Sequence, residues 1–216
     1  KNINEITELP QDEMLVGTKK WKVGKSIYDF FIKEYAGVNK ANGKAQWYKD
    51  EEVDGKITKV KTESYDSATK YYQGSSLPDW VGGITNRLSY KGLDLTIVNA
   101  FSIGGQIYDG SYASLMHSGG SNGTGWHKDM LDTWSTMNPN GSQPILDEDQ
   151  NSNATSTKFL TSADYFKLRN ITLGYKLPEH IAHKVKMESI RVYASGDNLF
   201  MTSKRTGLDP QQSLSG

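Results

Sequence analysis

The segment that decides the fold reads Trp80-Val-Gly-Gly-Ile-Thr-Asn-Arg-Leu-Ser-Tyr90, then Lys91-Gly92, then Leu93-Asp-Leu-Thr-Ile-Val-Asn-Ala-Phe-Ser-Ile103, and runs on through Gly104-Gly-Gln-Ile-Tyr-Asp109. Ile84, Asn86, Leu88 and Tyr90 share one side of the first run, opposite Thr85, Arg87 and Ser89. In the second, Leu93, Leu95, Ile97, Asn99 and Phe101 alternate with Asp94, Thr96, Val98, Ala100 and Ser102. Alternation of this kind, rich in β-branched and aromatic residues, predicts strands, and glycine at the reversal supplies a positive φ for a tight turn. The segment is a hairpin with one apolar and one mixed-polar face.

The totals narrow the function. The chain has 216 residues with 25 basic against 25 acidic side chains. This balance removes the electrostatic case for nucleic acid, which needs a basic face to neutralise phosphates. No cysteine is present, which excludes disulfides and thiolate metal sites. Five Trp, twelve Tyr and twenty-one Gly, spread among short alternating runs, suit an all-β chain. No apolar run approaches the ~20 residues of a spanning helix, but a spanning β-strand shows only alternation over roughly ten residues.

Further alternating runs follow the same logic. Ala163–Leu177 places Tyr165, Lys167, Arg169, Ile171, Leu173 and Tyr175 on one side, with Phe166, Leu168, Asn170, Thr172 and Gly174 on the other. Ser189–Phe200 sets Ile190, Val192 and Ala194 against Arg191, Tyr193 and Ser195. Lys1–Gly24 reads as a strand or two with charged flanks. Lys25–Val38 fits helix and strand spacing alike, and its aromatic density favours strand. Lys49–Ser76 is polar, with a tight turn at Asp54-Gly55, and reads as a long loop with at most a minor hairpin. From 103 to 160 glycines and Asn138-Pro139-Asn140-Gly141 break the pattern, and Trp126–Trp134 predicts a short helix. Glu179–Glu188 reads as a charged turn. Short connections on one side of the strands and long polar ones on the other match outer-membrane barrels.

Three blocks carry a resemblance. Pro78-Asp-Trp-Val-Gly-Gly83, with the hairpin and Gly104-Gly-Gln-Ile-Tyr-Asp109, is the first. Ala163-Asp-Tyr-Phe-Lys-Leu-Arg-Asn-Ile-Thr-Leu-Gly-Tyr-Lys-Leu-Pro178 is the second, and Ile190-Arg-Val-Tyr-Ala-Ser-Gly-Asp-Asn-Leu-Phe200 with Gly207-Leu-Asp-Pro210 the third. Upstream, Tyr35-Ala-Gly-Val38, Gly43 and Trp47-Tyr48 also fit. In this order the blocks resemble the C-terminal barrel part of SusC/RagA-type TonB-dependent outer-membrane transporters. The resemblance implies antiparallel transmembrane β-barrel strands over residues 1–216, with short periplasmic turns and long external loops at about 39–79 and 103–160. It implies that the plug domain and the final strand lie outside this chain. It also implies active import of oligosaccharides or peptides across the outer membrane, a SusD-like surface lipoprotein as partner, and a TonB-type energy transducer acting through the missing N-terminal part.

Candidate binding residues are the loop aromatics Tyr108, Tyr112, Trp126 and Trp134, whose flat faces and polar edges suit a sugar or peptide. Packing within the loop, or against the lipoprotein, is the competing role for them. Asp147-Glu148-Asp149 with Asn151 and Asn153 offers oxygen ligands for Ca²⁺ but lacks the glycine and distal glutamate of an EF-hand, and reads as a solvated loop. His180 and His183 read as exposed turn residues. Lys167 and Arg169 should point into a lumen or lie near an interface, and Tyr165, Tyr175 and Tyr193 should sit in aromatic girdles. No catalytic motif, cofactor fingerprint or metal set is present, so no enzyme is expected. A soluble all-β carbohydrate-binding module that stacks sugars on the same Trp and Tyr residues is the alternative, and a two-carboxylate glycosidase a more distant one.

Overall fold

The computed structural model describes residues 5–119, 123–147 and 151–212. In chain order its strands are β1 (Glu13–Val16), β2 (Lys19–Lys22), β3 (Asp29–Lys33), β4 (Tyr35–Val38), β5 (Ala45–Val53), β6 (Lys56–Thr62), β7 (Lys70–Ser75), β8 (Trp80–Tyr90), β9 (Leu93–Ile103) and β10 (Gln106–Tyr108). After the short helix α1 (Gly110–Leu115) come β11 (Leu160–Ser162), β12 (Tyr165–Lys176), helix α2 (Glu179–Lys184) and β13 (Arg191–Ser203). The strands are antiparallel, and the chain divides into two units. One holds residues 5–76 and 106–161, the other 77–105 and 162–212.

The second unit is one sheet in the order β13-β12-β9-β8. Lys91 and Gly92 both take positive φ, +47° and +84°, so the β8–β9 reversal is a two-residue turn of the type whose twist matches its strands. The Gly92 carbonyl accepts the Lys176 N–H at 2.8 Å, which ties the turn to the end of β12. Pairing runs unbroken from Trp80↔Ile103 to Tyr90↔Leu93, so the faces of β8 and β9 are those the sequence predicts.

In β12 the expected facing holds for only half of the strand. Phe166, Leu168 and Ile171 pair with Phe101, Asn99 and Ile97, and the register shifts between Leu168 and Asn170. A bulge therefore takes up one residue at Arg169. Beyond it, Ile171, Leu173 and Tyr175 join Phe166 and Leu168 on one face, while Lys167 and Tyr165 fall with Asn170, Thr172 and Gly174. The bulge corrects a parity conflict: simple alternation would have put three apolar residues beside two cationic ones.

The resulting sheet is two-faced. One side carries Trp80, Ile84, Leu88, Tyr90, Leu93, Leu95, Ile97, Phe101, Phe166, Leu168, Ile171, Leu173, Tyr175, Val192 and Phe200, many of them exposed. The other carries a polar network. Asn170 donates to Ser195 and Asp197 at 2.9 and 2.8 Å, and Thr172 shares a hydrogen bond with Ser195. On the same side Arg191 makes a two-pronged pair with Asp94, Nε and Nη2 donating at 3.0 and 2.6 Å. The pair joins β13 to β9 across β12, where a Cβ on Gly174 would come within 2.4 Å of the guanidinium and 2.6 Å of the carboxylate. Only glycine leaves that passage open.

The first unit is built from sheets β1-β2-β3-β7 and β4-β5-β6, with β10 paired to β11. The polar stretch expected to be loop is in fact β5, β6 and β7. Asp54 and Gly55, at φ +54° and +72°, turn β5 into β6, and register runs from Trp47↔Thr62 to Val53↔Lys56. The outer half of this hairpin is polar on both faces, so hydropathy gives no signal there and cross-strand pairing holds it. Its inner end is anchored by the buried Trp47 against Tyr35 and Tyr65, with ring centroids 6.2 and 5.4 Å apart. The expected helix at 126–134 is a 3-10 turn over Lys128–Asp132, and the expected turn at 179–188 contains α2, on which His180 and His183 are exposed.

Deleting Arg169 removes the bulge and sends Ile171, Leu173 and Tyr175 to the polar face. Loss of folded protein is the expected outcome, read as lost resistance to limited proteolysis.

Candidate functional site

The four candidate aromatics all lie in the first unit, and the fold gives them different surroundings. Asp109 caps α1 by accepting the Tyr112 N–H at 2.8 Å, which swings the Tyr112 ring inward. That ring meets Phe159 and His127 edge-on, at 5.9 and 4.7 Å, and its hydroxyl donates to Asp129 at 2.8 Å. Met116, Met130 and Ala113 complete the cluster, and Tyr108 packs on it through Phe159 at 6.2 Å. Tyr112 is buried and Tyr108 half-buried, and burial raises the pKa of the Tyr108 hydroxyl.

Trp126 stands at the edge of this cluster. Its indole stacks on the buried His117 ring at 5.2 Å and 25°, and its N–H donates to the His117 carbonyl at 2.9 Å. With one face held by the histidine, the side chain is still 52% exposed. Trp134 lies elsewhere. Its N–H donates to the Lys40 carbonyl, and its ring fills the space over Gly43, where a Cβ would come within 2.4 Å of it. The structure therefore brings Tyr108 and Tyr112 together, puts Trp126 beside them and separates Trp134.

Leu131 and Met137, 91% and 97% exposed, stand out from the same long connection. The sequence reading passed over both. Met137 sits in a Ser135–Asn138 turn, where neither periodicity applies, and an apolar residue in such a turn is the only signal available. Glu148 and Asp149 of the acidic run, and with them the Ca²⁺ reading, lie outside the described residues. Among the described residues, no group of three or more His, Asp or Glu side chains gathers around a point that could hold a metal.

Buried cations mark the interior of the same unit. Lys19 donates to Ser76 at 2.7 Å and to the Tyr28 carbonyl at 3.1 Å, above the Phe30 ring. Burial lowers its pKa, with Asp29 opposing. Lys33 donates to the carbonyls of Tyr65 and Asp66. Lys158 donates to the Ser152 carbonyl between the Tyr35 and Phe159 rings, and burial pushes its ammonium down to about 8.

The geometry defines a class first: a four-stranded piece of barrel-type wall, joined to a unit rich in long connections. No family model matches the chain. Among curated proteins it is 27% identical to TonB-dependent receptor P3 of Formosa agariphila, over 98% of this chain and 22% of that protein. It is 26% identical to TonB-dependent receptor SusC of Bacteroides thetaiotaomicron, over 88% of this chain and 18% of that one. Solved structures of the RagAB peptide transporter, and of the RagAB peptide importer in a closed-closed state, superpose with TM-scores of 0.80 and 0.82. Their identities are 30% and 29%, and each match covers 96% of this chain and 23% of that one. The chain is SusC/RagA-like in sequence and fold, as the sequence blocks indicated. It spans about a fifth of the length of the curated relatives it matches over nearly its whole length. Those relatives are named as receptors and transporters, which supports a role other than catalysis.

Two measurements check the packing. Phe159→Ala removes the shared ring under Tyr108 and Tyr112 and should cost about 3–5 kcal/mol locally, seen as faster amide exchange through α1. Lys158→Met should stabilise the unit at neutral pH. The folded-state pKa lies below the unfolded one, so the lysine opposes folding fully below pH ~8, and this cost fades as pH rises toward the ordinary lysine value. The advantage of the methionine variant in chemical denaturation should accordingly shrink above pH 8 and vanish near pH 10.5.

Proposed function

We propose that this chain forms part of the wall and external connections of a TonB-dependent outer-membrane transporter that imports oligosaccharides or peptides. The observation that carries the reading is the register. Four antiparallel strands of 11, 11, 12 and 13 residues present one largely apolar face, interrupted by Asn86 and Asn99, and one mostly hydrophilic face. Spanning strands need about 9–11 residues, with alternate side chains facing lipid and lumen. A soluble sandwich would bury its apolar face, whereas here Ile84, Leu88, Leu173 and Val192 are all more than half exposed. In this reading residues 1–216 belong to a larger barrel, with long external connections at about 39–79 and 103–160. Lys167, on the polar side, faces the lumen.

Ligand capture falls to the external connections. Trp126 is the first contact residue among the four candidates, because it offers an open indole face backed by His117. Tyr108, Tyr112 and Trp134 shape the support beneath and beside it. Leu131 and Met137 provide apolar area for a SusD-like lipoprotein, and a TonB-type partner supplies the energy through parts of the transporter outside this chain. RagAB, the structural neighbour, is described as a peptide importer, while the relatives called TonB-dependent receptors carry no ligand in their names. Glycan and peptide therefore both stand as ligands.

The test begins with the cell envelope. The chain should fractionate with the outer membrane, require detergent for extraction and co-purify with a lipoprotein. A Trp126→Ala variant should lose roughly 5- to 150-fold in ligand affinity, the ~1–3 kcal/mol of one stacked aromatic contact, while Trp134→Ala should act through folding. A monodisperse, detergent-free protein would refute the membrane reading and bring forward the soluble binding module.

A further inference from the structure

An apolar hollow of about 760 Å³ lies in the second unit, at the end of the sheet that carries the long connections. Phe101, Ile103, Phe166, Thr202 and Lys204 line it, together with Asp164. The register assigns Phe101, Phe166 and Thr202 to the apolar side of the sheet, since Phe166 pairs with Phe101 on one edge and Thr202 on the other. Phe101 leans over Gly82, whose absent side chain leaves the room: a Cβ there would lie 2.6 Å from the ring. Phe166 is 41% exposed within the hollow and does not close it. The hollow is shallow and open, a shape that takes a chain laid along the surface rather than an enclosed ligand.

The rim is polar and its two charges differ. Asp164 accepts the Gly104 N–H at 2.6 Å, so its carboxylate is turned to the backbone. Lys204, just past the last paired residue Ser203, is exposed. An apolar hollow that continues the lipid-side face, ending at a cation where the strands leave the membrane, has the polarity of one amphiphile: a hydrocarbon chain with an anionic head.

We infer that this hollow is a binding site for an anionic membrane lipid, with an acyl chain lying between Phe101 and Phe166 and the phosphate paired with Lys204. The inference rests on the outer-membrane reading, because only then does the apolar face meet lipid. A protein partner would have to cover a face that in this reading meets lipid, and would have to complement Asp164, which is already engaged. The bound lipid would hold β9, β12 and β13 together at the outer rim.

The probe is native mass spectrometry of the detergent-solubilised transporter carrying this chain, titrated with palmitoyl-oleoyl phosphatidylglycerol, the phosphatidylcholine of the same chains, or inorganic phosphate. Phosphatidylglycerol should be retained about fivefold better than phosphatidylcholine, the equivalent of one basic residue at an anionic surface, and phosphate alone should not be retained. Lys204→Glu, a surface change that leaves the sheet intact, should abolish the preference, and Phe166→Asn should weaken retention of both lipids. Equal retention of the two lipids by the wild type, unchanged preference in Lys204→Glu, or a second protein copy seated on the hollow would overturn the inference. If the chain is absent from the outer membrane the transporter reading itself fails. If it is present but shows no lipid preference, only this site fails.

Discussion

A strand that turns one face to hydrocarbon has no water to satisfy its backbone, so each amide and carbonyl must pair with a neighbouring strand. In the β8–β9–β12–β13 ladder the inner strands β9 and β12 are paired on both sides, along lengths sufficient to span a bilayer. Once pairing is fixed, every side chain is committed to one face or the other, and a slip of one residue would reverse the whole set. The bulge at Arg169 shows how strictly this applies. The chain inserts an unpaired residue into the middle of β12, and this keeps Ile171, Leu173 and Tyr175 on the same side as Phe166.

The hairpin at 80–103 was legible because three independent signals agree there: strict alternation, β-branched content and a glycine at the turn. The second half of β12 was not. Period-2 counting continues through Leu168-Arg169-Asn170 without interruption, and only the register with β9 shows that the phase changes. Legibility failed more broadly over 49–75. The hairpin of β5 and β6 has hydrophilic residues on both faces, so the one local sign of it was the Asp54-Gly55 turn. At the candidate site, composition picked out the aromatics but could not rank them. Burial of Tyr112 follows from the α1 cap at Asp109, and exposure of Trp126 from its stacking on His117, and neither depends on a sequence period.

Among the buried rings and methionines of the first unit, cations serve as interior fillers. Lys19 over Phe30 and Lys33 over Tyr65 put aliphatic stems among rings while the ammonium groups meet carbonyl oxygens. Burying an ammonium is costly unless it is both paired and stacked. These sites therefore favour one arrangement of the surrounding loops over its alternatives. Such rigidity suits a unit whose proposed task is to hold Trp126 at a fixed position for a ligand.

Between Asp94 and Arg191 the attachment skips a strand. Neighbouring strands are joined by hydrogen bonds, but this pair passes over Gly174 and connects next-nearest neighbours, so it senses the combined offset of two strand steps. In a closed barrel that accumulated offset, together with strand number, sets the tilt and the diameter. The β12 bulge and the register shift against β13 both add to the offset. An ion pair this exposed contributes little to stability, but its fixed reach would act as a gauge of stagger in any barrel of which this sheet forms a part.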